Sequence, residues 1–536
     1  MKKLYTTIIF ALIAFVANAQ APNWAWAKRA GGTGFDGAYS SATDPSGNTY
    51  VTGFYASASI TFGTTTLINA GLKDIFIVKY DTFGNVIWAN SIGSTGNEMG
   101  RSITTDAFGN VYLTGQYESP SINFGAITLT TTDTLGIYIV KYDSSGNALW
   151  AKGAGGSIYD SSIDINTDTS GNVYVTGFYY SPSMTFGAVT LTNADSTGNT
   201  DDIFIIKYDA SGNLIWGKGE GGNGPDVSTS IATDASGNVY VTGWFSPPSI
   251  TFGTTTLTNA VGNTMYIVKY DALGNVLWAK KLLGAGTSSI TIDAPNNVYV
   301  TGEFFSPSIT FGADTLTNAG GRDIFIVKYD DSGNEQWAKA VGSTEDEKGY
   351  STVSDAWGNV YVTGDYFSPS ITFGAITLIN TNSTGNSADI FIVKYDASGN
   401  VLWAKGAGGG GGDYGNSATI DASGNLYIAG YFNSPAVFGA TTLSNAGLMD
   451  IYIAKLDPTL VSIEEKSPKN KIVIFPNPST GIFMSNINFK TIEVFNMMGE
   501  LVLTDNNNSQ INLQSYPKGL YLALINREQV VKLVKE

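Results

Sequence analysis

Short runs in which hydrophobic and polar residues alternate recur along most of the chain, and polar turns separate them. In one unit these runs are Ser102–Thr105, Asn110–Gly115, Ile137–Tyr142 and Asn147–Lys152. Such alternation over four to eight residues is typical of a strand with one buried face. The turns have the form Asp-x-x-Gly-Asn, in which Asp accepts backbone N–H groups and Gly takes the left-handed conformation. The pattern predicts four strands and two tight hairpins in each unit.

The unit occurs seven times, at a spacing of about sixty residues. Thirteen of the fourteen turns keep the same chemistry; one of these has Asn296 where Gly is usual, and the turn at Asp457 breaks the pattern. Self-similarity at a fixed period indicates a repeat architecture. The repeated tyrosines and lysines are Tyr50, Tyr112, Tyr174, Tyr240, Tyr299, Tyr361 and Tyr427, and Lys79, Lys141, Lys207, Lys269, Lys328, Lys394 and Lys455. We interpret these residues as packing and inter-blade contacts, because seven active sites are improbable.

The last unit is incomplete, and its missing strand stands at the other end of the chain. No strand with a tryptophan follows Asp450–Asp457, whereas Asn23–Lys28 matches the Trp-Ala-Lys sequences at Trp150 and Trp403. A closed ring needs such a strand, because closure removes exposed strand edges. We therefore predict an all-β fold, a seven-bladed β-propeller closed by an N-terminal strand. The tryptophan series is Trp26, Trp88, Trp150, Trp216, Trp278, Trp337 and Trp403.

The repeated motif resembles the bacterial SBBP repeat, a seven-bladed β-propeller repeat family. The resemblance rests on Asp-x-x-Gly-Asn-x-Tyr-x-x-Gly followed by Asp-Ile-Phe-Ile-Val-Lys-Tyr-Asp, and it extends roughly from Pro22 to Asp457. It implies a fold and an extracellular setting. It implies no general activity and therefore no catalytic residues.

The two ends of the chain differ from the repeats. Met1–Lys3 is basic, Leu4–Val16 is mostly apolar, and Ala17–Ala19 is a small-x-small cleavage site, which together predict a secretory signal peptide. No later run approaches the length of a transmembrane helix, so we expect an exported protein without a transmembrane segment.

The C-terminal tail resembles a type IX secretion sorting domain of Bacteroidetes. Matching residues lie in Phe475–Gly481, Ile492–Val502, Leu513–Leu522 and Lys532–Glu536. The resemblance implies that export machinery reads the tail and delivers the protein to the cell surface or the medium. Alternating strands with Pro and Gly turns predict a small β-sandwich here. The expected organisation is a signal peptide at 1–19, a propeller at 20–457, a linker at 458–470 and a sorting domain at 471–536.

Composition excludes several kinds of chemistry. The net charge of −16 argues against nucleic-acid binding, which requires a basic face. The chain has no cysteine and no histidine. It therefore has no disulfide, no thiolate metal site and no Ser-His-Asp triad, and it lacks the commonest general base.

Six units carry a carboxylate ten residues after their tryptophan, and the fifth unit has Ser288 there. These loops lead into the innermost strands, so one hypothesis is a ring of acids at a channel mouth that binds a cation, with calcium as the candidate ion. The alternative is that each acid caps its own loop by accepting backbone N–H groups. The six acids are Asp36, Glu98, Asp160, Asp226, Glu347 and Asp413.

The residue after each Thr-Gly varies more than its neighbours. Glu303 and Asp365 occupy this position in consecutive units, and Trp244 is its largest aromatic residue. Paired carboxylates can catalyse glycoside hydrolysis, while isolated surface acids are the alternative. Two units also have four extra residues in the adjoining connection, at 196–199 and 383–386. The full set at this position is Phe54, Gln116, Phe178, Trp244, Glu303, Asp365 and Tyr431.

These observations favour an exported, non-enzymatic propeller that binds or displays a ligand, either a glycan or a protein, at the cell surface. No catalytic or cofactor-binding residue is assigned. A carbohydrate-active hydrolase or lyase on the same ring and a purely structural envelope protein are the alternatives.

Overall fold

A computed structural model of the chain describes residues 21–131, 135–195, 200–246, 248–259, 262–382, 384–385, 387–457, 472–496, 499–526 and 529–536. The predicted signal peptide and linker lie outside these ranges. The described residues divide into two compact units, one that ends at Asp457 and one that begins at Ile472. They contain strands and no α-helix. No segment among them forms a helix that could cross a membrane.

The first unit contains seven sheets whose core is four antiparallel strands, here called a to d from the inside outwards. Strands a are Asp36–Thr43, Glu98–Thr105, Asp160–Thr167, Asp226–Thr233, Ala285–Ile292, Glu347–Ser354 and Asp413–Ile420. Strands b are Thr49–Tyr55, Val111–Tyr117, Val173–Tyr179, Val239–Phe245, Val298–Phe304, Val360–Tyr366 and Leu426–Phe432. Strands c are Asp74–Tyr80, Gly136–Tyr142, Asp202–Tyr208, Thr264–Tyr270, Asp323–Tyr329, Asp389–Tyr395 and Asp450–Asp457. Strands d are Val86–Ile92, Ala148–Ala154, Leu214–Glu220, Val276–Leu283, Glu335–Val341, Val401–Gly409 and, for sheet 7, Asn23–Ala30.

The N-terminal strand completes sheet 7, as the sequence predicts. Asn23–Ala30 pairs antiparallel with Asp450–Asp457, and Ala27 lies opposite Ala454. Strand a of sheet 1 packs against strand a of sheet 7, so the sheets form a closed ring. The Ser41 and Ser417 hydroxyl oxygens lie 2.9 Å apart across that junction. The protein is therefore an all-β propeller whose two ends meet in one sheet.

Each sheet also has an outer two-stranded hairpin, which is not among the four strands per unit that the sequence predicts. In sheet 5 it pairs Ser308–Phe311 with Asp314–Thr317. Its inward residues, such as Ile309 and Phe311, are buried against the sheet, because alternate residues of a strand face opposite sides. The other hairpins are Ser59–Phe62 with Thr65–Ile68, Ser121–Phe124 with Ile127–Thr130, Ser183–Phe186 with Val189–Thr192, Ser249–Phe252 with Thr255–Thr258, Ser370–Phe373 with Ile376–Ile379, and Ala436–Phe438 with Thr441–Leu443.

The repeated tyrosine, lysine and tryptophan residues join neighbouring sheets. In sheet 1 the Asp44 carboxylate caps its turn, accepts a hydrogen bond from the Tyr50 hydroxyl and lies 3.3 Å from the Lys79 ammonium. Lys79 also lies over the Tyr50 ring and donates to the Ser144 carbonyl of sheet 2, as does the Trp88 indole N–H. Trp26 and Lys455 make the same two bonds from sheet 7 to the Thr82 carbonyl of sheet 1. The N-terminal strand thus supplies the tryptophan that sheet 7 would otherwise lack.

A second set of bonds closes the ring around its axis. Strand a is irregular near its middle in every sheet, for example at Tyr39. Just beyond each irregularity, a backbone N–H donates to a side-chain oxygen of the preceding sheet, at 2.9–3.4 Å. The seven acceptors are Ser40, Ser102, Asp164, Ser230, Ser289, Ser351 and Ser417.

The second unit is a five-stranded antiparallel sheet with its own hydrophobic core. Its long strand Ile482–Asn496 pairs with both Leu501–Asn512 and Gly519–Ile525, and Phe483, Phe489 and Leu533 are fully buried. The remaining strands are Ile474–Phe475 and Gln529–Lys535.

Candidate functional site

The variable side chains lie at one end of the ring, called here the upper end. The Asp-x-x-Gly-Asn turns join strands a to b and c to d at the lower end, so the upper end carries the b–c and d–a connections. The residue after each Thr-Gly stands near the upper end of strand b and lies directly opposite a residue of strand a, as Asp365 lies opposite Lys348. Loops over a rigid scaffold are the usual place for binding residues.

Aromatic side chains from sheets 7 and 1 form a continuous cluster at this end. Phe54 is buried and stacks on Phe35, with ring centroids 5.4 Å apart and planes 5° apart. Tyr39 packs on Phe54, also at 5.4 Å, and Tyr431 packs on Phe35 at 5.6 Å and on Tyr414 at 4.8 Å. Tyr39, Tyr414 and Tyr431 are partly exposed. The cluster therefore presents aromatic surface to a ligand.

Acidic side chains from sheets 6 and 5 extend this cluster. Asp365 is fully buried, and burial raises its pKa to about 7, against the opposing influence of the Lys348 ammonium and the Tyr350 hydroxyl. The carboxylate of Glu303 is close enough to raise that pKa further, and it accepts a hydrogen bond of 2.6 Å from Arg322. Asp365 in turn raises the pKa values of Tyr414 and Tyr431, although burial is the larger cause. We call the combined cluster the acidic–aromatic band. Its partly exposed members are Phe35, Tyr39, Glu303, Tyr350, Tyr414 and Tyr431, and its buried members are Phe54 and Asp365.

The remaining members of the variable position lie in sheets 2 to 4. Gln116 is buried and accepts a hydrogen bond from the Ser161 hydroxyl, and Phe178 packs on Tyr159 at 6.0 Å. Trp244 is partly exposed and lies opposite Val227. Trp244 lies in sheet 4, and the two acids grouped with it by sequence, Glu303 and Asp365, lie at the same position in sheets 5 and 6.

The six carboxylates ten residues after the tryptophans are not free groups around a channel mouth. All six are fully buried, each in the loop of its own sheet. Asp36 accepts N–H groups of Gly32, Ala56 and Ser57 and the Ser57 hydroxyl. In each of the other five a backbone N–H four residues earlier is likewise a donor; these acids are Glu98, Asp160, Asp226, Glu347 and Asp413. The capping alternative describes this geometry better than an open cation ring, and no three acidic residues of the described part of the chain converge as metal ligands.

Burial raises the pKa of several of these carboxyls. The pKa of Asp226 and that of Asp413 rise to about 8, and that of Glu347 to about 7. The second cause for Asp226 and Asp413 is a neighbouring carboxylate of the preceding sheet, Asp202 or Asp389.

Ser288 does not occupy the position of the acids in sheet 5, contrary to the sequence interpretation. Ala285 lies opposite Phe304, as Asp36 lies opposite Tyr55. The loop before sheet 5 is shorter, so a count from the tryptophan overshoots. With no carboxylate to cap, the Ser306 hydroxyl donates to the Gly284 carbonyl instead.

The channel at the centre of the ring is lined by residues that the sequence analysis did not single out. Strands a enclose a channel of about 320 Å³, lined mainly by Ser, Thr, Ala and Ile with Asp164. Asp164 accepts hydrogen bonds from the hydroxyls of Ser102 and Ser230 and the N–H groups of Ile165 and Ile231. Tyr39, Tyr350 and Asn416 stand one residue before the ring serines. The residue type at this position varies from one strand a to the next, and that variation is the sequence signal that could have revealed these three residues.

Comparison with known proteins identifies the second unit. Residues 473–536 match a family model described as a secretion system C-terminal sorting domain. This unit is a secretion sorting domain. The match covers the tail alone, and it supports export of the chain to the cell surface or extracellular space, with secretion machinery as a partner.

Two curated relatives are similar to longer stretches. An uncharacterized WD repeat-containing protein, L264 of Acanthamoeba polyphaga mimivirus, is 25% identical over 532 residues, covering 80% of this chain and 38% of that protein. Regulatory protein FlaEY of Caulobacter vibrioides is 27% identical over 163 residues, covering 30% of this chain and 17% of that protein. The chain thus spans well under half the length of either relative.

Solved structures with a similar arrangement include the Dos1 propeller, with a TM-score of 0.37, 11% identity, and coverage of 81% of this chain and 95% of that one. Raptor of Chaetomium thermophilum gives a TM-score of 0.43 at 9% identity, covering 82% of this chain and 30% of that one. BamB of Moraxella catarrhalis gives a TM-score of 0.33 at 12% identity, covering 73% of this chain and 93% of that one. Likenesses at this level carry no functional argument.

Proposed function

We propose that this protein is a non-enzymatic, ligand-binding propeller that acts at the cell surface and binds a glycan through the acidic–aromatic band. We further propose that it is a seven-bladed member of the SBBP repeat type from a Bacteroidetes-like cell, that a signal peptide at 1–19 is removed, and that type IX machinery delivers it. One observation supports the binding role: the band is where side chains stop repeating and gather on one surface. Residues that serve only to close the ring repeat in nearly every sheet.

The chemistry of the band suits a carbohydrate. Aromatic faces, such as those of Tyr414 and Tyr431, cover the apolar C–H faces of a sugar ring, and tyrosine hydroxyls and the partly exposed Glu303 carboxylate bond its hydroxyl groups. The rigid ring holds these groups in place before binding, which lowers the ordering cost of association. The net charge of −16 disfavours strongly anionic ligands.

A glycan array on the full chain tests this proposal, with Tyr431→Ala as the site variant and Trp357→Ala as the matched control. Trp357 is 74% exposed on a lower-end turn, so its removal subtracts an aromatic residue without touching the band. We expect wild type and Trp357→Ala to bind the same glycans, and Tyr431→Ala to bind them at least tenfold more weakly. Binding that Tyr431→Ala leaves intact would contradict the proposed site. A wild-type chain that binds neither glycans nor a surface protein would favour the structural envelope protein.

A hydrolase or lyase is the second candidate, and the Glu303–Asp365 neighbourhood is what favours it. A carboxyl with a pKa of about 7 beside a second carboxylate resembles a general acid beside its partner. The test is release of reducing ends from the polysaccharides that the array identifies. Activity that Asp365→Asn abolishes would support the enzyme; binding without turnover would support the binding module.

A further inference from the structure

At two junctions between sheets, both carboxylates of a neighbouring pair keep a buried oxygen atom that no hydrogen bond satisfies. At the junction of sheets 3 and 4 the unpartnered oxygens are Asp202 Oδ1, Asp226 Oδ1 and the Thr200 hydroxyl oxygen, with Asp201 Oδ1 in addition. Asp202 is 2% exposed and Asp226 is fully buried. Buried carboxylate oxygens without a partner are costly, so each such group requires an explanation.

The two carboxylates at this junction are neighbours. Asp202 begins strand c of sheet 3, and its Oδ2 accepts the Ala194 N–H at 2.7 Å. Asp226 begins strand a of sheet 4, and its Oδ2 accepts the Gly222 N–H at 2.7 Å. The Gly221 backbone packs directly on Asp202 Oδ1, since a Cβ there would lie 2.1 Å from it. Consecutive glycines thus contact both side chains, and each carboxylate keeps one free oxygen.

The junction of sheets 6 and 7 repeats this arrangement. Its unpartnered oxygens are Asp389 Oδ1, Asp413 Oδ1 and the Ser387 hydroxyl, with the Ser434 hydroxyl in addition. Asp389 is 3% exposed and Asp413 is fully buried. The Gly409 N–H donates to Asp413 at 2.7 Å and also interacts with Asp389. The same three kinds of oxygen therefore occur at both places.

The other junctions lack part of this set: Asp74, Asp323 and Asp450 also keep an unpartnered Oδ1, but the strand a acid beside each of them does not. Glu347, beside Asp323, accepts N–H groups on both of its oxygens, and the residue two before Asp323 is Gly321 rather than Thr or Ser. The junction of sheets 4 and 5 has Thr264 and Ala285 in place of the two acids. Only sheets 3 and 6 have the four-residue longer b–c connection, and those connections lead to Thr200 and Ser387.

We propose that each of these two junctions binds one calcium ion, held by two carboxylates and a hydroxyl, with backbone carbonyls or water completing the coordination. Calcium takes six to eight oxygen ligands in flexible geometry, whereas magnesium requires a near-ideal octahedron. A site with only two carboxylates belongs to the weak, extracellular range of affinities, with Kd on the order of 10⁻⁴–10⁻³ M. An exported protein meets calcium at such concentrations. The ions would fasten sheet 3 to sheet 4 and sheet 6 to sheet 7.

Equilibrium dialysis of the chelator-treated full chain against ⁴⁵Ca²⁺ measures the stoichiometry directly. We expect two ions per wild-type chain, one for Asp202→Asn, one for Asp389→Asn, and none for the double variant. Asp323→Asn is the matched control, because it removes an equivalent acid from a junction with an incomplete set, and it should still bind two. Calcium should raise the Tm of wild type and Asp323→Asn, but not that of the double variant.

Three results would overturn the proposal. These are no saturable uptake by wild type, an unchanged stoichiometry in the double variant, and an equal loss in Asp323→Asn. The first would mean that the paired carboxyls satisfy each other by sharing a proton. Circular dichroism of each variant without calcium shows whether it is folded, and the wild-type stoichiometry decides the question even if a variant is not.

Discussion

The pKa of an aspartate carboxyl in this chain is set by its surroundings, and so is the role of the residue. Asp271 lies in an exposed turn, where the Asn275 side chain and several backbone N–H groups hold the pKa of its carboxyl below the usual value. Asp164 replaces a serine in the ring of hydroxyls, where burial raises the pKa of its carboxyl. Hydrogen bonds to the ionised form lower a pKa and burial raises it, so the same residue type is a cap in one place and a potential acid in another.

The stability contributed by Asp365 should depend on pH. Its folded pKa of about 7 lies above the value of about 3.9 in an unfolded chain, so the folded state holds an extra proton between those values. That contribution is fully present below about pH 4 and is lost as the pH rises through 7. The facing groups are the Lys348 ammonium and the Tyr350 hydroxyl, which lower the pKa, and the Glu303 and Glu347 carboxylates, which raise it.

Urea denaturation of wild type and Asp365→Asn from pH 4.5 to 8 measures this effect. We expect the free energy of unfolding of wild type to fall relative to the variant, by at most about 1.4 kcal/mol per pH unit. Asp271→Asn is the control, because the lowered pKa of Asp271 places its titration below this range. Parallel pH profiles for wild type and Asp365→Asn would contradict the burial argument.

At the scale of single elements, six of the strands d are each joined to the next sheet by a hydrogen bond from one tryptophan. The Trp88 indole N–H donates to the Ser144 carbonyl at 3.1 Å, and the same carbonyl accepts a hydrogen bond from Lys79. The glycine of that turn, Gly146, lies against the indole ring and has a φ of +85°, so a side chain there would be strained and crowded.

Trp88→Phe should destabilise the protein modestly. It keeps an aromatic ring against Gly146 but removes the N–H donor, and a typical hydrogen bond contributes about 0.5–1.5 kcal/mol. Chemical denaturation of Trp88→Phe and of Trp357→Phe, which changes an exposed turn tryptophan, separates this contribution from a general effect of losing an indole. Equal stability of the two variants would mean that the bond contributes nothing.

The sequence predicts elements better than junctions, for a physical reason. Hairpins are local, so Asp-x-x-Gly-Asn turns locate the strands on either side, and the match of Asn23–Lys28 to the tryptophan strands predicts closure. The loops that lead from strand d into the next strand a vary in length, whereas the length of strand a is constant. A count back from the turn aspartate, eight residues before Asp293, therefore finds Ala285 where a count forward from Trp278 finds Ser288.

The acidic–aromatic band and the paired carboxylates could not be predicted in the same way. Glu303 and Asp365 are visible as a variable position, but the proximity of Asp365 to Glu303, Tyr414 and Tyr431 arises only when neighbouring sheets pack. Likewise, Asp202 and Asp226 are separated in sequence by a whole strand. Only the hydrogen bonds of the folded chain show that each retains an unbonded oxygen.

At the scale of the molecule, the propeller and the sorting domain each have a core of their own. The propeller closes within the residues up to Asp457, and the second unit has its own core. Deletion of 472–536 should therefore leave a folded propeller that is not delivered to the cell surface. Fractionation of cells, with circular dichroism of the truncated protein, checks both parts. Normal surface delivery of the truncated chain would contradict the role of the tail, and an unfolded product would contradict the independence of the ring.

One closed ring, completed by the N-terminal strand, carries the variable residues at its upper end. The chain has no cysteine, so Ala27→Cys/Ala454→Cys introduces a single possible disulfide between residues that lie opposite each other in sheet 7. Cross-strand neighbours have Cα separations of about 4.5–5.5 Å, which a disulfide can span. Ala27→Cys/Ile453→Cys is the control, because adjacent residues of a strand point to opposite faces.

The decisive measurement is peptide mass spectrometry of the oxidised Ala27→Cys/Ala454→Cys protein, with non-reducing electrophoresis. The closed ring predicts nearly complete intramolecular linkage of the peptides that contain residues 27 and 454, and little in the control. Free thiols or disulfide-linked dimers in both variants would contradict closure by the N-terminal strand.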